Sequence, residues 1–213
     1  MTSDTVDIWN KKWAGRDGKV NPFARKCLSH FQKYKCGNLI DLGSGDGADS
    51  MYFAGHSISV TSIDISSKAV EHLQVKADKE ELDVTTNVCD ISKQLPFDDS
   101  AFDAVYAHLS IHYFDDKTTR AIIEEIDRIL KPGGVLCIKC KSVDDPLFGL
   151  GEEVGTNMFF KEYIRHFFSK EYMAEIISSF EILEIEKSSH DYWSRPSAFI
   201  EAIALKKMST SSV

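Results

Sequence analysis

Residues 38–48 read NLIDLGSGDGA, and this stretch decides the fold. Leu39, Ile40 and Leu42 make a short apolar run of the kind that forms a buried strand, and Gly43, Gly45 and Gly47 then turn the chain into a helix expected to begin near Asp46. A strand, a glycine turn and a helix in that order place unobstructed backbone at the carboxyl end of a strand. There a ligand can approach closely.

Working outward, short runs rich in Val and Ile alternate with stretches of helical period, which predicts an α/β fold with a doubly wound, mostly parallel sheet. The candidate strands are residues 38–42, 58–63, 85–89, 104–107, 135–140, 180–186 and 198–205, seven in all. Residues 66–82 put Ala69, Val70, Leu73 and Ala77 on one face behind a serine cap. Residues 115–130 stripe Ile122, Ile123, Ile126, Ile129 and Leu130 before a Lys-Pro-Gly-Gly stop. Both read as crossover helices. The last two strands, joined through Arg195, Pro196 and Ser197, predict an antiparallel hairpin at the sheet edge. The whole chain, 1–213, reads as one domain: a helical appendage over 1–35, a cofactor-binding core over 36–143, and a lid with the hairpin over 144–213. Residues 141–160 show no period and are expected to be a loop.

Charge narrows the ligand. Gly43, Gly45 and Ala48 satisfy a dinucleotide fingerprint, but Asp41 precedes the turn and Asp46 lies inside it, where a pyrophosphate requires free N–H donors and no carboxylate. S-adenosylmethionine carries an ammonium and a sulfonium and no phosphate, so these carboxylates suit it. Asp64 follows Asp41 by 23 positions at the end of the second strand, the place of an acidic ribose ligand. Asp90, after the third strand, can accept from an adenine amine while Ile65 and Ile91 pack on the ring.

These pieces, LIDLGSGDG, TSIDIS, CDISKQLPFDDSAFDAVYAHLSIHYF and EIDRILKPGGVLCI, span about residues 38–138 and resemble a class I S-adenosylmethionine-dependent methyltransferase. The end of the chain, RHFFSKEYMAEIISSFEILEIE, is similar to small-molecule methyltransferases of the methyltransferase 11 and tellurite-resistance kind. The resemblance implies a seven-stranded sheet whose last hairpin sets an antiparallel strand between two parallel ones. It implies that Gly43, Ser44, Gly45 and Gly47 cradle the methionine part, that Asp41 orients the turn and the amino group, that Asp64 holds the ribose and Asp90 the adenine. Ala107 and His108 would lie beside the reactive methyl, and His108 departs from the small polar residue many relatives have there. The implied reaction is methyl transfer to a small-molecule acceptor by in-line displacement, leaving S-adenosylhomocysteine. A protein acceptor and an inactive cofactor-binding partner module are the alternatives.

Such a displacement needs few catalytic groups beyond a general base for an acceptor that must lose a proton. His108 and His112 are the candidates, with Tyr106 and His166 behind them. Trp9, Trp13 and Phe23 are expected to wall the donor site or simply to dock the first helix. Asp144, Asp145, Glu152 and Glu153 would draw a cationic acceptor if they face the site, and otherwise form a solvated loop. Cys137 and Cys140 lie on one predicted strand three positions apart, hence on opposite faces, so no metal is expected.

Composition sets the outer bounds. Twenty-five Lys and Arg against thirty-three Asp and Glu give a formal charge of -8, and no basic run with aromatics is present, which argues against nucleic acid or an anionic membrane as partner. The start MTSDTVDIWNKKW lacks the apolar region of a secretion signal, and five scattered cysteines read as reduced thiols of a cytoplasmic protein. Composition leaves the oligomeric state open.

Overall fold

The computed structural model describes residues 3–192 and 194–208. In chain order the elements are α1 (Ser3–Trp13), α2 (Pro22–Lys33), β1 (Asn38–Leu42), α3 (Ala48–Ala54), β2 (Ser59–Asp64), α4 (Ser67–Lys79), β3 (Val84–Val88), β4 (Phe102–His108), α5 (Asp116–Ile129) and β5 (Leu130–Lys141). Three short strands follow, β6 (Glu152–Gly155), β7 (Met158–Phe160) and β8 (Ile164–His166), then α6 (Lys170–Ile176), β9 (Glu181–Tyr192) and β10 (Arg195–Leu205).

Helix starts are set by side chains that accept otherwise unpaired N–H groups. Asn21 accepts from Ala24 with Pro22 at the first turn of α2, Ser66 from Ala69 at α4, and Asp115 from Thr118 at α5. The main sheet runs β3-β2-β1-β4-β5-β10-β9. The first five of these strands are mutually parallel, β10 runs antiparallel to β5, and β9 runs antiparallel to β10. The last hairpin thus sets one antiparallel strand between two parallel ones, as the resemblance implies. Strand order reverses between β1 and β4, which opens a crevice at their carboxyl ends.

Each face of the sheet carries its own core. Ile40, Ile63, Val105, Ile138 and Cys140 pack with the α5 stripe Ile122, Ile123, Ile126 and Ile129. Leu39, Val60, Ala104, Cys137 and Tyr106 pack with Phe23, Phe31, Phe53 and Leu73 from α2, α3 and α4. Each large apolar side chain buried here contributes roughly 1.5–3 kcal/mol. Cys137 and Cys140 fall in different cores, as their spacing predicts.

Two expectations need correction. Residues 141–160 are not simply a loop: β6 and β7 pair across Thr156 and Asn157, and β8 adds to them as a second, three-stranded sheet. Strands of three or four residues are too short to show a period-two pattern. Arg195, Pro196 and Ser197 are not a connector but the first rungs of β10, opposite Tyr192, Asp191 and His190. Proline is tolerated there because β5 pairs with β10 only from Phe199 onward, so the first rungs have one neighbour.

Candidate active site

A cavity of about 520 Å³ lies at the carboxyl ends of β1, β2 and β4, walled by the glycine turn, by α1 and the segment after it, and by the end of β9. The turn is anchored on β2: Gly43 and Ser44 donate their N–H groups to the Ile63 carbonyl at 2.8 and 3.0 Å. Asp64 secures the next step, accepting from Gly45 N at 2.9 Å on one oxygen and from Ser66 N at 2.8 Å on the other. Gly45 has φ +55°, and a Cβ there would stand 2.9 Å from Trp13 Cζ2, so glycine lets α1 close on the turn.

Of the residues singled out from sequence, Gly43, Ser44, Gly45, Asp64, Ile65, Asp90, Ile91 and His108 line the cavity. Asp41, Gly47, Ala107 and His112 do not. Asp41 is 2% exposed behind the turn, where it accepts from Ser50 Oγ at 2.6 Å. Burial, with the charges of Asp49, Asp64 and Asp46, pushes its carboxyl up to about 8 against the Ser50 hydrogen bond. It braces the turn from below. Gly47 starts α3 at φ +72°, and a Cβ there would meet Leu73 Cδ1 at 2.3 Å, so it serves helix packing. Ala107 points into the α5 core. His112 sits in a 3₁₀ turn (Ile111–Tyr113), 1% exposed, its ring 4.2 Å from that of Tyr113 and held well below its usual pKa by burial. The same turn places Tyr113 on the wall and carries His112 inward.

Among the other sequence candidates, His166 is buried against Phe168 and Tyr172, away from the cavity. Phe23 is also away, packed on Tyr106. Trp9 and Trp13 do line the site, with Lys12 Nζ 4.4 Å and 5.1 Å from their ring centroids. Asp145 and Asp144 are spent on Lys141 and Lys187 at 2.6 and 2.7 Å, and neither they nor Glu152 and Glu153 reach the cavity.

Beside His108, sequence reading missed a further polar group on the cavity wall. Asp49, in the first turn of α3, accepts from Asn21 N at 3.1 Å, from Asn21 Nδ2, and from the Tyr106 hydroxyl at 2.9 Å. Burial lifts its carboxyl to about 6, against the pull of Asn21 N–H and the Tyr106 hydroxyl. His108 Nδ1 lies 3.8 Å from Asp49 Oδ2, while His108 Nε2 is buried without a partner. Burial first, then the Lys139 and His190 charges, hold His108 well below its usual pKa, so the ring is neutral at pH 7. Asn21 and Asp49 are 28 positions apart, and only the docking of α2 on α3 joins them.

A glycine turn open to close backbone approach, the strand-end carboxylate Asp64 and a half-buried Asp90 line one cavity, a set of groups that suits S-adenosylmethionine. Sequence comparison supplies the rest. A methyltransferase-domain family model matches residues 39–134. Those residues form a class I, S-adenosylmethionine-dependent methyltransferase domain. The chain is 35% identical over 103 residues to 27-O-demethylrifamycin SV methyltransferase of Amycolatopsis mediterranei, covering 47% of this chain and 37% of that protein. It is 27% identical over 173 residues to glycine N-methyltransferase of Rattus norvegicus, covering 74% of this chain and 58% of that protein. The chain therefore spans less than two thirds of these relatives. A solved S-adenosylmethionine-dependent methyltransferase from Methanosarcina mazei superposes with a TM-score of 0.76 at 21% identity, over 90% of this chain and 100% of that one, and shares the fold.

Proposed function

We propose that this methyltransferase domain transfers a methyl group from S-adenosylmethionine to a small-molecule acceptor. The observation that supports the small acceptor is the enclosure of the site. Trp9, Lys12 and Trp13 of α1 and Tyr192 of β9 stand around the same cavity of about 520 Å³ as the glycine turn, a size suited to small molecules. A polypeptide acceptor would have to displace α1, which Asn10 ties to α4 by accepting from Ser66 Oγ at 2.9 Å. Relatives named for a rifamycin and for glycine are consistent with small acceptors.

In this reading Gly43, Ser44 and Gly45 bear on the methionine part, Asp64 accepts from the ribose hydroxyls, and Asp90 meets the adenine with Ile65 and Ile91 on its faces. Asp41 acts from behind, through Ser50, to hold the turn. The bound cofactor supplies an activated methyl on sulfur. The protein's own contribution is to align donor and acceptor, exclude water under α1 and accept a proton where the acceptor must lose one. His108 is positioned for the last task, neutral on the cavity wall. Titration calorimetry with S-adenosylmethionine, S-adenosylhomocysteine and NAD tests the cofactor: saturable binding of the two sulfur compounds alone is expected, and binding of NAD alone would overturn the reading. A screen of small acceptors and of unfolded protein with methyl-labelled donor tests the acceptor, with label in protein overturning the small-molecule assignment.

A further inference from the structure

The end of the cavity away from Asp64 carries a carboxylate that the cofactor-binding scheme does not use. Asp49 and His108 line it together, with Asp191, His190 and Tyr192 from the end of β9 beside them. Asp49 sits deep, with its side chain 12% exposed, and three donors hold it in place. A carboxylate offers about four lone-pair sites. Here Oδ2 takes the Tyr106 hydroxyl and Asn21 Nδ2, whereas Oδ1 takes Asn21 N, leaving Oδ1 capacity for one more donor.

The surroundings select the donor's charge. The groups facing Asp49 are the Tyr106 hydroxyl and His108 from β4, Asn21 from the start of α2, Asp46 and Asp41 from the turn and β1, and Lys139 from β5. Lys139 is fully buried and already pairs with Glu201 at 2.8 Å. The neighbouring His108 is neutral, and Asp191 adds a second acid to that end of the wall. An anionic acceptor would meet two carboxylates there, while a cation would meet charge complement and the Tyr192 ring, whose centroid is 6.0 Å from that of His108.

Building on the proposed methyl transfer, we propose that the acceptor is an amine that enters as its ammonium ion, held by the Asp49 carboxylate beside His108, and that for this acceptor Asp49, in place of His108, is the catalytic base. The ammonium N–H donates to Asp49 and passes it one proton, which frees the nitrogen lone pair. That pair forms the new C–N bond to the methyl carbon as the C–S bond breaks and its electrons return to sulfur. The product is a methylated ammonium and a neutral thioether, so the positive charge lost by sulfur appears on nitrogen. The proton on Asp49 then leaves to solvent with product release.

The test uses the full chain saturated with S-adenosylhomocysteine and four probes: methylamine, benzylamine, benzyl alcohol and benzoate. Calorimetry is expected to show that at least one amine binds and that benzylamine binds at least about tenfold more tightly than the alcohol or the benzoate, as a charge-assisted pair requires. In Asp49→Asn that preference is expected to vanish while S-adenosylhomocysteine affinity stays within about threefold, a difference of less than about 0.7 kcal/mol. With labelled donor, the amine alone should gain label, and the variant should lose that turnover. Homocysteine-compound binding without any amine preference in the unmodified protein would overturn the ammonium assignment and leave the methyltransferase reading intact, whether or not the variant folds. Equal loss of cofactor and amine binding in Asp49→Asn would assign Asp49 to the cofactor and overturn it too. Failure of the unmodified protein to bind S-adenosylhomocysteine would bring down the proposed function itself.

Discussion

The indole of Trp13 rests on Gly45, close enough that a Cβ at that glycine would come within 2.9 Å of Cζ2 and 3.1 Å of Cε2. The first helix and the glycine turn are therefore built to one another's shape. Gly45→Ala adds both a clash with the helix and a side chain at φ +55°. It is expected to lift α1 off the cavity and weaken S-adenosylhomocysteine binding about tenfold or more. Trp13→Ala should weaken binding without the backbone penalty, and Gly45→Ala in that background should then cost less than it does alone. Calorimetry on the two single variants and the double variant reads this coupling. Strict additivity would show that the ring and the turn act separately.

Asp64 uses both carboxylate oxygens on backbone N–H groups of the two loops that border the cavity. Asn at this position has one carbonyl oxygen and one amide nitrogen, so either Gly45 N–H or Ser66 N–H would face another donor. Asp64→Asn is expected to cost about 1–3 kcal/mol of cofactor affinity, partly through the disordered turn. The measurement is the dissociation constant for S-adenosylhomocysteine. An unchanged value would remove Asp64 from the cofactor site.

The contrast between Asp64 and Asp49 shows what the sequence made legible. Asp64 ends a β-branched strand at a fixed interval after the glycine turn, so local pattern alone places it at the crevice. The same local logic predicted the sheet, the α4 and α5 helices and the final hairpin, because each rests on periodicity and a cap. Asp49 has no such signal: it is one acid on a short helix, and its role depends on Asn21 and Tyr106, brought in from 28 and 57 positions away by packing. Glycine count misled at Gly47, which faces Leu73 instead of the cavity. His112 misled for a related reason, since a single 3₁₀ turn decides which of two neighbouring aromatic residues meets the site. The small sheet β6-β7-β8 escaped because its strands are shorter than the pattern that would announce them.

Asp41 predicts a pH dependence of stability. Burial keeps it protonated up to about 8 in the folded chain, against 3.8 for the exposed group. Between those pH values folding takes up a proton, so this group's contribution to stability falls as pH rises, by up to about 1.4 kcal/mol per pH unit. Asp41→Asn retains an acceptor for Ser50 Oγ and takes up no proton. The variant is therefore expected to gain on the unmodified protein as pH is raised from 5 to 8, and to match it near pH 4. Urea unfolding across that range is the measurement. A constant difference between the two proteins would show that the carboxyl is ionised in the fold.

The Lys139–Glu201 pair gives the last prediction. Lys139 is fully buried in the rung next to His108, with Nζ 2.8 Å from Glu201 Oε1 and 4.3 Å from the centroid of the Phe199 ring. Breaking a buried pair leaves one charge without its counterion, which costs about 3–5 kcal/mol, whereas replacing both members with apolar groups of similar volume is often neutral. Glu201→Gln is thus expected to lower the unfolding free energy by several kcal/mol, and Lys139→Met with Glu201→Leu together to recover most of it. The pair also sits behind the active site, because the Lys139 charge is one of the influences that keep His108 neutral. Removing Lys139 in the double variant should raise the pKa of His108, read from the imidazole proton shift by NMR. A His108 pKa unmoved in a folded double variant would show that burial and His190 suffice to keep the ring neutral and that the lysine serves only the sheet.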